Sequence, residues 1–270
     1  MVKFQYISDI HLEFYTNTNI FKKIIKIDDC ENICLLGDIG YPDTPIYKSF
    51  IKYCSNTWEN VFLTYGNHEL YRYNTRKSPI KTIDELNMIP IEFPENVYFL
   101  NNKSVYINKL TNNVTFECDE TNDNYIKIIG SLLWSDINDH ASLYMNDYNH
   151  IYTRYNKLLT PTFSRNLFYK NKEFILNEIK CNLKCLILTH HGTHELCNGI
   201  YSESELKSAF ATHIPEIYES DNVIACIYGH IHHNINLLVN GIKLLSNCYG
   251  YKNENQKIVK YNNNAILEII

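Results

Sequence analysis

Five short segments, far apart in the chain, each end an apolar run with side chains able to grip a metal cation. They are Asp9-Ile10-His11, Gly37-Asp38, Gly66-Asn67-His68-Glu69, His190-His191-Gly192 and Gly229-His230-Ile231-His232. Seven of the 11 histidines of the 270-residue chain lie in or beside these segments, which a scattered set of core histidines would not do. Imidazole nitrogens with carboxylate and amide oxygens form a ligand set for Mn, Fe, Zn or Ni rather than for calcium. The donors are too many for one tetrahedral zinc and about enough for two five- or six-coordinate ions. Two ions about 3.5–4 Å apart need a shared ligand, which a carboxylate serves best. They also lower the pKa of a solvent molecule between them toward ~7, and the resulting hydroxide can attack phosphorus in line.

The elements that must position these groups are strands. Residues 2–8 alternate, and Asn32–Leu36, 60–65, Lys184–Thr189 and 222–228 are short apolar, β-branched or aromatic runs of the buried-strand type. Glycine behind a strand lets the chain turn sharply. In extended backbone, residues i and i+2 point the same way, so Asp9 and His11 reach one ion. Adjacent residues diverge, which leaves His191 to line a substrate pocket or cap a turn. Tyr47, Phe50, Ile51 and Cys54 recur at helical spacing over 42–57, so the second and third strands form a βαβ unit with parallel neighbours. Residues 97–100, 104–108, 114–116 and 125–129 are expected as antiparallel strands between Asn-rich turns, and 80–88 as a short helix. A helix over 163–183 buries Phe168, Ile175, Leu176, Ile179 and Leu183 on one face, and a helix pair is expected over 203–210 and 214–220. Asn240-Gly241 predicts a hairpin between 234–239 and Ile242–Ser246. Residues 258–261 and 265–270 are expected to close the sheet.

The segment 131–161 breaks this rhythm. It interleaves Trp134, Tyr144, Met145, Tyr148, Tyr152 and Tyr155 with acids, histidines and Arg154. It reads either as a binding wall or lid, or as a half-buried excursion covering the core. Arg72 and Arg76 are candidates to clamp a substrate phosphate, though solvated loop arginines are an equal reading. Glu69 is expected to orient a neighbouring ligand or His68 rather than to coordinate. His140, His150, His194 and His213 read as surface residues. No repeat and no linker divides the chain, so one domain spans 1–270.

These motifs, in this order and spacing from Asp9 to His232, resemble the calcineurin-like metallophosphoesterase superfamily. Leu133-Trp134, Met145-Asn146-Asp147-Tyr148, His190-His191 and Ser208-Ala209-Phe210 are similar to a group of small bacterial and viral members. The resemblance implies a four-layer αββα sandwich with a dimetal site at the C-terminal edges of its strands. It further implies that Asp9, His11 and His232 serve one metal, that Asn67, His190 and His230 serve the other, and that Asp38 bridges them. On the same pattern His68 is a non-ligand that protonates the leaving oxygen or steadies the attacked phosphate. Many members follow the histidine pair with a small residue and proline, where this chain has Gly192-Thr193.

Composition bounds the function. A net charge of −5, with 45% hydrophobic and 20% charged residues, describes a soluble globular protein and argues against an extended nucleic-acid or anionic-membrane surface. Residues 1–8 are too short and polar for a signal peptide, and no run approaches a membrane span. Nine cysteines without a C-x-x-C pair suggest a reducing, cytoplasmic setting. The expected activity is hydrolysis of a phosphomonoester or phosphodiester with two divalent ions, manganese foremost. A nucleotide, cyclic nucleotide or phosphoprotein is the expected substrate. The rival readings are a non-catalytic scaffold of the same fold, and a nuclease or DNA-repair phosphodiesterase.

Overall fold

Alternation decides where each strand sends its side chains. In β2 (Asn32–Leu36), Ile33 and Leu35 join one apolar cluster and Cys34 and Leu36 another, and every residue is buried. A strand buried on both faces belongs inside a sheet that is covered on both sides. β3 (Asn60–Thr64) and, past its first residue, β8 (Lys184–Thr189) share this character. The computed structural model describes residues 1–26, 29–72, 92–153, 156–254 and 259–270. In it, β1 (Val2–Ile7), β2, β3 and β4 (Val97–Phe99) run parallel in that order, with β12 (Ile266–Ile269) antiparallel outside β1. The second sheet has β7 (Tyr125–Ser131), β8, β9 (Val223–Tyr228) and β11 (Ile242–Ser246) parallel. Its antiparallel edges are β10 (Asn236–Val239) on one side, and β5 (Lys103–Asn108) with β6 (Val114–Thr115) on the other.

Phe4, Tyr6, Cys34, Leu36 and Phe62 of the first sheet pack in one cluster with Ile107, Ile128, Leu186, Leu188 and Ile227 of the second. The opposite faces meet helices. Helix Pro45–Thr57 lays Tyr47, Phe50, Ile51 and Cys54 toward the first sheet, and helix Pro161–Glu178 lays Phe168 and Ile175 toward the second. Both helices open with Thr-Pro. The threonine hydroxyl accepts from the backbone N–H three residues on, and proline fills a first-turn position that has no partner to lose. The result is the αββα sandwich, whose parallel strands deliver their C-terminal tips to one edge, where α/β sheets hold ligands.

Five elements differ from expectation. Residues 97–100 do not join the antiparallel group, because β4 pairs parallel with β3, Val61 opposite Val97. The connection over 65–96 is long enough for a crossover, and the local turn signals did not reveal this. Residues 203–210 contain only the 3-10 turn Lys207–Ala209, and the helix over 214–220 shortens to Pro215–Tyr218. Helix Pro161–Glu178 stops short of Leu183, which is nonetheless buried. Residues 259–261 join no strand, although Val259 is buried. The helix expected over 80–88, Arg154, Tyr155 and residue 258 lie outside the described residues. The hairpin is as expected, with Asn240 at φ 50° and Gly241 at φ 85° forming its turn. Among the described residues no helix is long and apolar enough to cross a membrane.

Leu186 is fully buried between the sheets. Leu186→Ala is expected to lower unfolding stability by about 2–5 kcal/mol in urea titration. A loss below about 1 kcal/mol would contradict the tight inter-sheet layer.

Candidate metal centre

The tips after β1, β2 and β9 are not extended. Asp9, His11, Asp38, His230 and His232 all have positive φ, at 53°, 52°, 51°, 74° and 49°. Each such non-glycine residue costs on the order of 1–3 kcal/mol, and strain of this kind clusters at functional sites. Backbone bonds hold it in place: Asp9 N–H to Gly37 O and His11 N–H to Asp38 O at 3.0 Å each, and Gly229 N–H to His190 O at 3.0 Å. Left-handed turns, and not the alternation of an extended strand, therefore bring Asp9 and His11 together. Glycine also acts differently from expectation at two tips. Gly66 and Gly229 have ordinary φ, but a Cβ would lie 2.2 Å from Asp38 Oδ1 at Gly66 and 2.7 Å from Asp9 Oδ2 at Gly229. They are glycines because a carboxylate presses against their backbone.

All seven expected ligand residues converge. Ligating atoms of Asp9, His11 and His232 lie within 4.8 Å of one another, as do those of Asp38, His190 and His230. Asn67 Oδ1 is 3.0 Å from His190 Nε2. The two oxygens of Asp38 face different groups, with Oδ1 3.5 Å from His190 Nε2 and Oδ2 4.0 Å from His11 Nε2.

A second layer fixes which ring nitrogen is left to coordinate. His11 Nδ1 lies 3.1 Å from Glu13 Oε1, and His232 Nδ1 lies 2.8 Å from Glu254 Oε2. His190 Nδ1–H donates to Leu36 O at 2.8 Å. With Nδ1 as donor, a neutral ring presents a lone pair at Nε2, as in His11 and His190, and His232 does so once its second proton is lost. The lone-pair nitrogens of His11 and His232 then stand 3.1 Å apart, and that of His190 meets the Asn67 oxygen, whose amide nitrogen already donates to Asp147 Oδ1 at 2.8 Å. His230 Nε2 is buried and makes no hydrogen bond among the described residues. Acceptors aimed at acceptors in a buried site fit cations between them.

Electrostatics agrees. Burial holds His11 and His190 down to about 4 and places His230 well below the usual imidazole range, so these rings are neutral. Burial would also lower His232, but its hydrogen bonds to Asp9 and Glu254 outweigh that and raise it to about 9. Burial, then the charges of Glu69 and Asp9, push Asp38 well above the carboxylate range. Without metal, the site therefore retains protons that a cation must displace.

Glu69 is fully buried and holds the loop of Asp38. Its carboxylate accepts from the backbone N–H groups of Asp38 (2.9 Å), Ile39 (2.8 Å) and Gly66 (2.8 Å), tying the second tip to the third. His68 lies at the mouth, its backbone N–H donating to Asp38 Oδ1 at 2.9 Å and its ring stacked on Tyr71. Its Nδ1 is 3.4 Å from Glu13 Oε1 and its Nε2 is 3.2 Å from the Tyr251 hydroxyl. His191, expected at the substrate, is instead buried behind His230 with ring centroids 4.2 Å apart, and it packs on Trp134. Arg72 is turned to Tyr152 and Asn156 and does not line the cleft, and Arg76 lies outside the described residues. Of the histidines expected at the surface, His194 is buried.

The cleft over the centre holds about 280 Å³ and includes Asn67, His68, Tyr71, Tyr144, Met145, Asn146, Tyr201, Phe210 and Tyr251. The 131–161 segment thus supplies part of its wall. Glu13, Glu254 and Tyr251 are absent from the residues expected from sequence, and Asp147 is among them only within the Met145-Asn146-Asp147-Tyr148 motif of the resemblance. Only Glu13 had a local signal, standing two residues beyond His11.

Residues 2–234 match the profile of the calcineurin-like phosphoesterases. The chain belongs to that family. It is a phosphoester hydrolase, and the family typically binds two divalent metals. An uncharacterized protein of Acanthamoeba polyphaga mimivirus is 31% identical over 286 residues, covering 95% of this chain and 94% of that one. The fold is similar to that of phosphopantetheinyl hydrolase from Mycobacterium tuberculosis, with a TM-score of 0.64 and 16% identity over 92% of this chain and 89% of that one.

The raised His232 value gives a sign. Its partners stabilise the metal-free fold fully below the ordinary value of 6.5, and that contribution is lost as pH rises through about 9. Over the same window the proton competes with metal. Manganese affinity measured by calorimetry is expected to rise with pH between those values, by about tenfold per unit for each proton displaced. A pH-independent affinity would contradict the protonated resting site.

Proposed function

We propose that this phosphoester hydrolase works with two divalent cations. Asp9, His11 and His232 hold one, Asn67, His190 and His230 hold the other, and Asp38 is shared. The observation that carries this reading is the split of the Asp38 carboxylate between the two clusters. Manganese suits the mixed nitrogen and oxygen donors best, with iron, zinc and nickel as the other candidates. Bound cations supply a water of lowered pKa and offset the charge of the phosphate.

The chain's own groups do the rest. Glu13 and the stacked Tyr71 ring fix the His68 imidazole, and its Nε2 stands 4.0 Å from Asp38 Oδ2, beside the position a phosphate would take. From there it can give a proton to the leaving oxygen or hold the attacked phosphate. The small cleft and the net charge of −5 favour a small phosphorylated molecule over an extended nucleic acid, which needs many phosphate contacts. Mononucleotides and cyclic nucleotides suit the cleft, and a phosphoprotein side chain is also in range. The nine free cysteines support a reducing, cytoplasmic setting.

Turnover of p-nitrophenyl phosphate and its bis ester with added manganese, alongside metal analysis, tests the assignment. Asp38→Asn is expected to lower metal content and rate together. His68→Ala is expected to keep its metal and to lose about 10²–10⁴-fold in turnover. Metal loss from the His68 variant would overturn this division of roles, since His68 also lies within ligand distance of His11 and Asp38.

A further inference from the structure

Aromatic side chains form much of the cleft lining, and among its described residues there is neither lysine nor arginine. Tyr71 and Tyr251 are occupied at the base. Tyr71 bonds Asp147 and stacks on His68, and Tyr251 lies against His11 with ring centroids 4.3 Å apart. Tyr144 lies 5.3 Å from the ring of exposed His140, and Phe210 and Tyr201 lead outward from the centre. Phe210 sits 5.6 Å from His230 and Tyr201 sits 5.9 Å from Phe210, a row of rings leading outward from a metal ligand. At the rim Tyr201 is 38% and Tyr144 is 64% exposed.

The base of this row is anchored. Gly192 N–H donates to Phe210 O at 3.0 Å and Thr212 N–H donates to Gly192 O at 3.1 Å, pinning Phe210 to the residue two after His190. A Cβ at Gly192 would lie 2.4 Å from Cys197 Cβ, so the close approach requires glycine there. Phe210 and Met145 also pack on Ile137, Ala141 and Ala209. The wall is thus held at its foot and open at its top, where the partly exposed Tyr201 and Tyr144 line the cleft.

We propose that Tyr201, with Phe210 and Tyr144, forms a stacking subsite for the base of a small nucleoside phosphate. This inference rests on reading the cleft as a phosphoester site. Spacing selects the ligand class. An aromatic ring esterified directly to phosphate, as in phosphotyrosine, would lie against Phe210, one ring from His230. Tyr201 stands a further ring out, about the span of a pentose between phosphate and base. A base needs no charged partner on its faces, which suits a wall whose described residues include no lysine or arginine.

The manganese-loaded full chain is titrated calorimetrically with non-cleavable phosphonate analogues of adenosine 5′-monophosphate and of ribose 5-phosphate. The adenosine analogue is expected to bind roughly tenfold tighter, as one stacked base contributes. Tyr201→Ala is expected to remove most of that difference and Tyr201→Phe to retain it. If Tyr201→Ala does not fold, Tyr144→Ala, at an exposed position, carries the same test with a smaller expected loss. Equal affinities, no binding of either analogue, a preference untouched by the alanine variants, or tighter binding of a phosphotyrosine-analogue peptide would overturn the subsite. A base preference in a protein that hydrolyses neither p-nitrophenyl ester would uphold the subsite and remove the hydrolase assignment.

Discussion

The structure depends on one constraint: at the edge of two sheets, electron-pair donors are aimed at one another, and without a cation it takes a proton on His232 to separate one such pair. Two imidazole nitrogens stand 3.1 Å apart, and an amide oxygen faces a third ring at 3.0 Å. In a buried site such contacts repel, and burial makes each unpaired polar atom costly. Positive charge between them reverses the sign. Six carboxylates (Asp9, Glu13, Asp38, Glu69, Asp147 and Glu254) also converge here by contact with the ligand residues or their loops. Two divalent cations would offset much of that charge.

The sandwich can be understood as the means of enforcing this arrangement. Parallel strands bring five tips to one edge, and left-handed residues turn their side chains inward. Gly66 and Gly229 let two tips close onto carboxylates, and Glu69 binds three backbone N–H groups from two of the tips. The conformational strain at the five left-handed tip residues is held by the tertiary contacts of two buried sheets. Hence the inter-sheet layer around Leu186 and Phe62 is a functional element as well as a core.

The apolar runs and their terminal motifs were legible because a strand buried on both faces leaves a continuous signal and its tip residues follow directly. What the chain does between distant tips left no such signal. The parallel placement of β4 depends on a long crossover, while the Asn-rich turns near it report only local geometry. Glu254 and Tyr251 reach the site from beyond the last motif, carried by backbone bonds such as Gly250 N–H to Asp9 O at 2.9 Å. Nothing in their own neighbourhood marks them. His191 was misplaced because the divergence of neighbours on a strand was carried past the strand's end, and its ring turns into the core beside His230. Arg72 shows the limit of reading charge alone, since a tyrosine ring and an asparagine engage it away from the cleft.

The most direct measurement is anomalous diffraction at the manganese edge from crystals grown with manganese. Two peaks are predicted, one among Asp9, His11 and His232 and the other among Asn67, His190 and His230, each in contact with Asp38. A single peak, or two peaks that do not share Asp38, would contradict the account.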